Sequence, residues 1–122
     1  MENYLIAKNE QGLSQDEIRQ ALLASLEGRS VKKALILPPD FTRIHSGAGF
    51  ITSVCYHALS AQGAAVDILP ALGTHAPMTD AQLDAMFGDI PHDRFLVHDW
   101  QRDVVRLGVI PAAYVSEITE GL

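Results

Sequence analysis

A chain of 122 residues with 48% hydrophobic and 20% charged residues has the size of one domain and too much apolar content for a disordered tail. Its 9 Lys and Arg against 15 Asp and Glu leave a net charge of −6, which argues against nucleic acid or an anionic membrane as a general electrostatic partner. A single cysteine excludes an internal disulfide framework and a thiolate zinc site. No apolar run approaches the ~20 residues that span a bilayer, and Met1-Glu2-Asn3 opens no leader pattern, so a soluble, reducing, cytoplasmic setting is expected.

Residues 1–12 lack a clear period and are predicted as an arm, with a short edge strand at 4–7. Ser14-Gln15-Asp16-Glu17 is a capping-box pattern, and Ile18, Leu22 and Leu26, flanked by Ala21 and Leu23, form the stripe of a helix that Gly28 ends. Residues 33–37 are apolar after Lys33 and stopped by Pro38-Pro39, which predicts a strand buried on both faces. Residues 47–62 predict a helix with Phe50, Ile51, Val54, Ala58 and Leu59 inward, and 65–69 a second strand. Thr79 and Gln82 box the start of a third helix, striped by Leu83, Met86 and Phe87. A third strand is expected at 94–98, a fourth at 104–107, and a short helix from Pro111 to Thr119. Helices alternating with short apolar strands predict one α/β domain: an open, mainly parallel sheet with helices on both faces, Rossmann-like. No internal repeat, low-complexity tract or linker interrupts it. Glu120-Gly121-Leu122 reads as a connection into further chain.

In open parallel sheets, ligands bind beyond the carboxyl ends of the strands. Three polar loops are expected on that rim: residues 38–47, residues 70–79, and His98-Asp99-Trp100. In the first, Arg43 held by the nearby Asp40 carboxylate suits a planar anion gripped by two parallel hydrogen bonds. Thr42, Ser46 and Gly47, at a helix opening, add to the anion preference. In the second, Gly73 admits a ligand and Pro77 stiffens the loop, so His75 beside Thr74 is a natural general acid or base. His45, His98 and Asp99 are candidates for lining the site. His57 is expected to be structural and His92 solvated. Cys55, on an apolar helix face, is expected in the core. No histidine pair has a metal-ligand spacing, so no complete metal site is expected. Ser46-Gly47-Ala48-Gly49 lacks the third glycine of a dinucleotide fingerprint, whose place falls at Thr52, and there is no phosphate-loop Gly-Lys-Ser/Thr.

Asp40-Phe41-Thr42-Arg43 resembles the Asp-x-Thr-Arg motif of the nickel-dependent lactate racemase family. Ala71-Leu72-Gly73-Thr74-His75-Ala76-Pro77-Met78-Thr79 resembles its Gly-x-His-x-Pro loop, and Val97-His98-Asp99 its following His-Asp; the order agrees from about Val31 to Gly108. Family members are much longer, so the resemblance makes this chain the N-terminal domain, or a piece of it, of a nickel-pincer racemase or epimerase. It implies that His75 is one of two acid/base histidines, that Arg43 holds the carboxylate of a 2-hydroxy acid, and that Asp40 orients Arg43. The family's nickel pincer nucleotide accepts a hydride, an electron sink that imidazole chemistry alone lacks. Its metal ligand, its anchoring lysine and the second histidine fall outside this chain, so the isolated chain is expected to be inactive and without cofactor. Ile44-His45-Ser46 and Ala76 depart from the family pattern at the pocket edge, so another 2-hydroxy acid is as well suited as lactate. A non-catalytic anion- or nucleotide-binding module with the same loops is the alternative. A small hydrolase lacks a nucleophile–base pair.

Overall fold

The computed structural model describes residues 5–121, so the edge strand expected at 4–7 begins outside the described residues; 5–7 are irregular. Ser14 and Glu17 close the capping box, with the Glu17 amide donating to Ser14 Oγ at 3.2 Å and the Ser14 amide to Glu17 Oε2 at 2.8 Å. Such a cap contributes about 1 kcal/mol, and it opens helix α1, Gln15–Leu26. Strand β1, Lys33–Ile36, follows, then a 3₁₀ turn, Phe41–Ser46, helix α2, Ala48–Ala61, and strand β2, Ala65–Ile68. Helix α3, Asp80–Phe87, opens on the second expected capping box, Thr79 with Gln82. A 3₁₀ turn at His92–Arg94 and helix α4, Ala112–Ile118, complete the order.

β1 and β2 pair in parallel, with Ala34 opposite Val66 and Ile36 opposite Ile68. These four side chains share one face, because alternate residues of a strand point the same way. That face carries the core. Ile68 packs with Leu83, Met86, Phe87 and Ile90 beneath α3, and Val66 with Leu59 and Ala64 beneath α2, where Leu26 of α1 joins them. The α/β class and the parallel pairing are as expected, but the sheet has two strands and the described helices cover one face of it. On the other face Leu35 is 52% exposed and Leu37 64%, so β1 is not a strand buried on both sides. Ile51 also departs from expectation: it is exposed, and Thr52 takes the buried position.

The expected third strand shrinks to a single parallel bridge, Phe95 with Ile68, in which the Leu96 amide donates to the Ile68 carbonyl at 2.7 Å. Arg94 is still inside the preceding 3₁₀ turn, so the segment straightens too late to pair along β2. Residues 104–107 form no strand. Val105 is 80% and Leu107 99% exposed, and β-propensity without a neighbouring strand stabilises nothing. Of the glycines after Ser46, Gly49 serves packing: a Cβ there would lie 1.9 Å from the Met86 carbonyl oxygen. Gly49 is where α2 and α3 touch backbone to backbone.

Candidate active site

The two loops that carry the chemistry are stapled through main chain. Beyond the ends of β1 and β2 the ladder resumes for one more step, Pro39 with Ala71, and the Ala71 amide donates to the Pro38 carbonyl at 2.8 Å. Parallel pairing therefore carries Asp40 and His75 to the same end of the sheet. Asp40 starts the 3₁₀ turn as its cap, in extended backbone. Gly73, at φ 60°, turns the second loop in a conformation that favours glycine, and the His75 amide closes that turn on the Leu72 carbonyl at 2.9 Å.

These turns bring together two side chains 35 positions apart. Asp40, only 6% exposed, takes the His75 ring on Oδ2, with Nδ1 at 2.5 Å. Its other oxygen accepts the Thr42 hydroxyl at 2.5 Å and the Thr42 amide at 3.2 Å. The Thr42 hydroxyl first, and the His75 ring second, hold the Asp40 carboxyl below the usual carboxylate range against the opposing effect of burial. An ionised carboxylate only accepts, so Nδ1 carries the proton of the neutral imidazole and Nε2 keeps its lone pair. An imidazole oriented in this way by a buried carboxylate is an acid/base arrangement.

The partner of Asp40 is thus His75, and not Arg43 as the resemblance implied. Among the described residues Arg43 makes no ion pair. It sits at a kink inside the 3₁₀ turn, φ −111° and ψ 27°, and lines an open depression together with Gly73, Thr74 and His75. A guanidinium there, unneutralised beside the dyad, suits an anion. On the far side of His75 a second depression is lined by Phe41, Pro77, Met78 and Gln82. Asp40 and His75 line both depressions, and apolar surface predominates in each, more so in the second.

The remaining candidates lie elsewhere or are engaged. Thr42 has one hydroxyl proton, given to Asp40, and so has none for an anion. Ser46 Oγ accepts the Ala48 amide at 3.2 Å, just ahead of Gly47, the N-cap of α2. Ser46, Gly47 and His45 line neither depression, and neither do His98 and Asp99. Asp99 instead accepts the amides of Gln101 and Arg102 at 3.1 and 3.2 Å, closing its own local turn. His57 pairs with Asp89 at 3.0 Å and lowers that carboxyl. His92 is exposed, yet it faces two carboxylates of α3, Asp84 at 2.8 Å and Asp80 at 3.4 Å. Burial pushes the Cys55 thiol up, which keeps it unreactive. Sequence reading missed the clamp by Thr42 and the pairing across the loops; the Asp-x-Thr spacing, a local capping pattern, was the available signal for the first.

No group of three or more His, Cys, Asp or Glu among the described residues is disposed to hold a metal ion. The chain's only lysines are Lys8, Lys32 and Lys33, and none of them lines either depression beside the dyad. The residues present therefore do not by themselves fit a nickel nucleotide. No helix of the described residues is long and apolar enough to cross a membrane.

No protein-family model matches the chain, and no curated protein matches it. Among solved structures, the chain is similar to a protein from Thermotoga maritima, with 28% identity and a TM-score of 0.78 over 97% of its length. The match spans 29% of the Thermotoga chain, so this α/β unit stands there inside a protein more than three times as long.

Proposed function

We propose that the chain is the substrate-gripping, proton-handling part of a racemase or epimerase acting on lactate or another 2-hydroxy acid. The observation that carries this reading is the Asp40–His75 dyad set beside the unpaired Arg43. Arg43 holds the carboxylate through charge-assisted hydrogen bonds. His75 Nε2 takes the proton from the 2-hydroxyl, while Asp40 on Nδ1 stabilises the imidazolium that results. Racemisation also needs an acceptor for the C2 hydrogen, as a nickel pincer nucleotide would be, and the described residues do not hold one by themselves. The rest of a longer protein is accordingly the partner we infer, supported by the small share of the Thermotoga chain that is matched. A cytoplasmic setting is part of the same proposal.

The test is a heteronuclear NMR titration of this chain with lactate, larger 2-hydroxy acids and propionate. Side-chain resonances of Arg43 and His75 should shift together, and more with a 2-hydroxy acid than with its deoxy analogue. Arg43→Ala should weaken binding about tenfold or more, the loss of one charge-assisted contact. Equal response to propionate would favour the second reading, a non-catalytic anion-binding module, for which the unpaired Arg43 speaks equally. No response at either side chain would remove both.

A further inference from the structure

Asp40 holds the imidazole with one oxygen while the other is occupied twice. Oδ2 meets His75 Nδ1 at 2.5 Å, and Oδ1 accepts the Thr42 hydroxyl at 2.5 Å and the Thr42 amide at 3.2 Å. The last torsion of an aspartate is broad and roughly two-fold, so a carboxylate held at one oxygen alone still turns about its own axis. Two donors on Oδ1, one from main chain and one from side chain, fix its plane. His75 needs that constraint, because its side chain is 58% exposed and hangs on a loop where solvent competes for both ring nitrogens. Asp40, at 6% exposure, has little access to a water that could replace the Thr42 hydroxyl.

We propose that Thr42 is a positioning residue: its hydroxyl locks the Asp40 carboxylate so that His75 is held as the Nδ1–H tautomer, leaving Nε2 as the nitrogen that meets a ligand. The lowered Asp40 carboxyl, owed first to that hydroxyl, agrees with the geometry. Thr42 acts through Asp40 and touches no reacting atom.

The experiment reads the ring itself. In the chain labelled with ¹⁵N-histidine, at about pH 8.5, where an ordinary imidazole is neutral, one-bond and long-range proton–nitrogen spectra distinguish a protonated from an unprotonated ring nitrogen, with His75 assigned by His75→Gln. Wild type should show Nδ1 protonated. Thr42→Val should raise the share of the Nε2–H form about tenfold, the order expected for one hydrogen bond to a charged group, and Thr42→Ser should restore the wild-type ratio. Thermal melts establish that each variant is folded, and Thr42→Ala replaces the valine variant if that one is not. The proposal is overturned if wild-type His75 is mainly Nε2–H, if removing the hydroxyl leaves the ratio unchanged, or if Thr42→Ser behaves like Thr42→Val. No substrate is involved, so failure of the racemase reading would leave this result standing, and the converse holds.

Discussion

Two stretches of this chain are rich in apolar residues and differ in what becomes of them. Between β1 and the bridge at Phe95, side chains such as Ile68, Phe87 and Ile90 are at most 2% exposed. Between residues 104 and 118, Val104, Val105, Leu107, Val109, Ile110, Tyr114, Val115 and Ile118 are all at least 45% exposed. The difference lies in topology. The first stretch places most of its apolar residues on a strand face or helix stripe that meets another, whereas the second runs past the last bridge of the sheet and makes no extended contact with another element among the described residues. Hydrophobicity contributes to stability through surface removed from water, and a residue that finds no neighbour contributes little.

Phe87→Ala should test the first stretch most severely. It empties a fully buried site packed against Phe95, with ring centroids 5.1 Å apart, and a loss of about 3–5 kcal/mol is expected in urea denaturation. A loss below about 1 kcal/mol would mean that this core is far looser than its burial implies. Gly49→Ala comes next, at about 1–3 kcal/mol, because the Met86 carbonyl must move to admit a methyl group. On an exposed helix position the same change would stabilise, so the sign alone decides whether α2 and α3 touch backbone to backbone.

Asp40→Asn sharpens the comparison at the site and carries a pH signature. Folding holds the Asp40 carboxyl below the ordinary aspartate value of about 3.9. Its contribution to stability is therefore complete above that value and is lost as pH falls through the lower folded one. Wild type minus Asp40→Asn, followed by thermal melts from about pH 6 to 2, should be constant at the upper end and shrink below about pH 4. A difference that does not change with pH would mean that the carboxyl titrates alike in both states. The smallest effect belongs to the second stretch. Leu107→Lys should alter stability by no more than about 0.5 kcal/mol. Limited proteolysis should cut within 96–111 before it cuts α2 or α3, since few contacts protect that backbone.

What was legible in the sequence follows the same division. The two capping boxes, Ser14 with Glu17 and Thr79 with Gln82, announce α1 and α3 because their signal is local. The residues 33–37 and 65–69 read as parallel strands because turn residues bound them and helical patterns separate them. The strands expected at 94–98 and 104–107 failed because pairing depends on what lies alongside, which no local pattern records. At the site, the convergence of the first two loops was legible from parallel order alone. The partner of Asp40 was not: Arg43, three positions away, was the nearer choice in sequence, and the backbone bridge at Pro39 and Ala71 selected His75 instead.

That bridge bears on how such a site changes over generations. The contact that aligns the loops runs from the Ala71 amide to the Pro38 carbonyl and uses no side-chain atom, so every residue except proline can supply the donor at position 71. Ala76, exposed at the edge of the recess beside the dyad, is therefore free to drift and reshape it, while the spacing of Asp40 and His75 is inherited from the main chain. New ligand preferences can be explored there without rebuilding the acid/base pair, and the substitution most damaging to that inheritance is one that silences a backbone amide, Ala71→Pro.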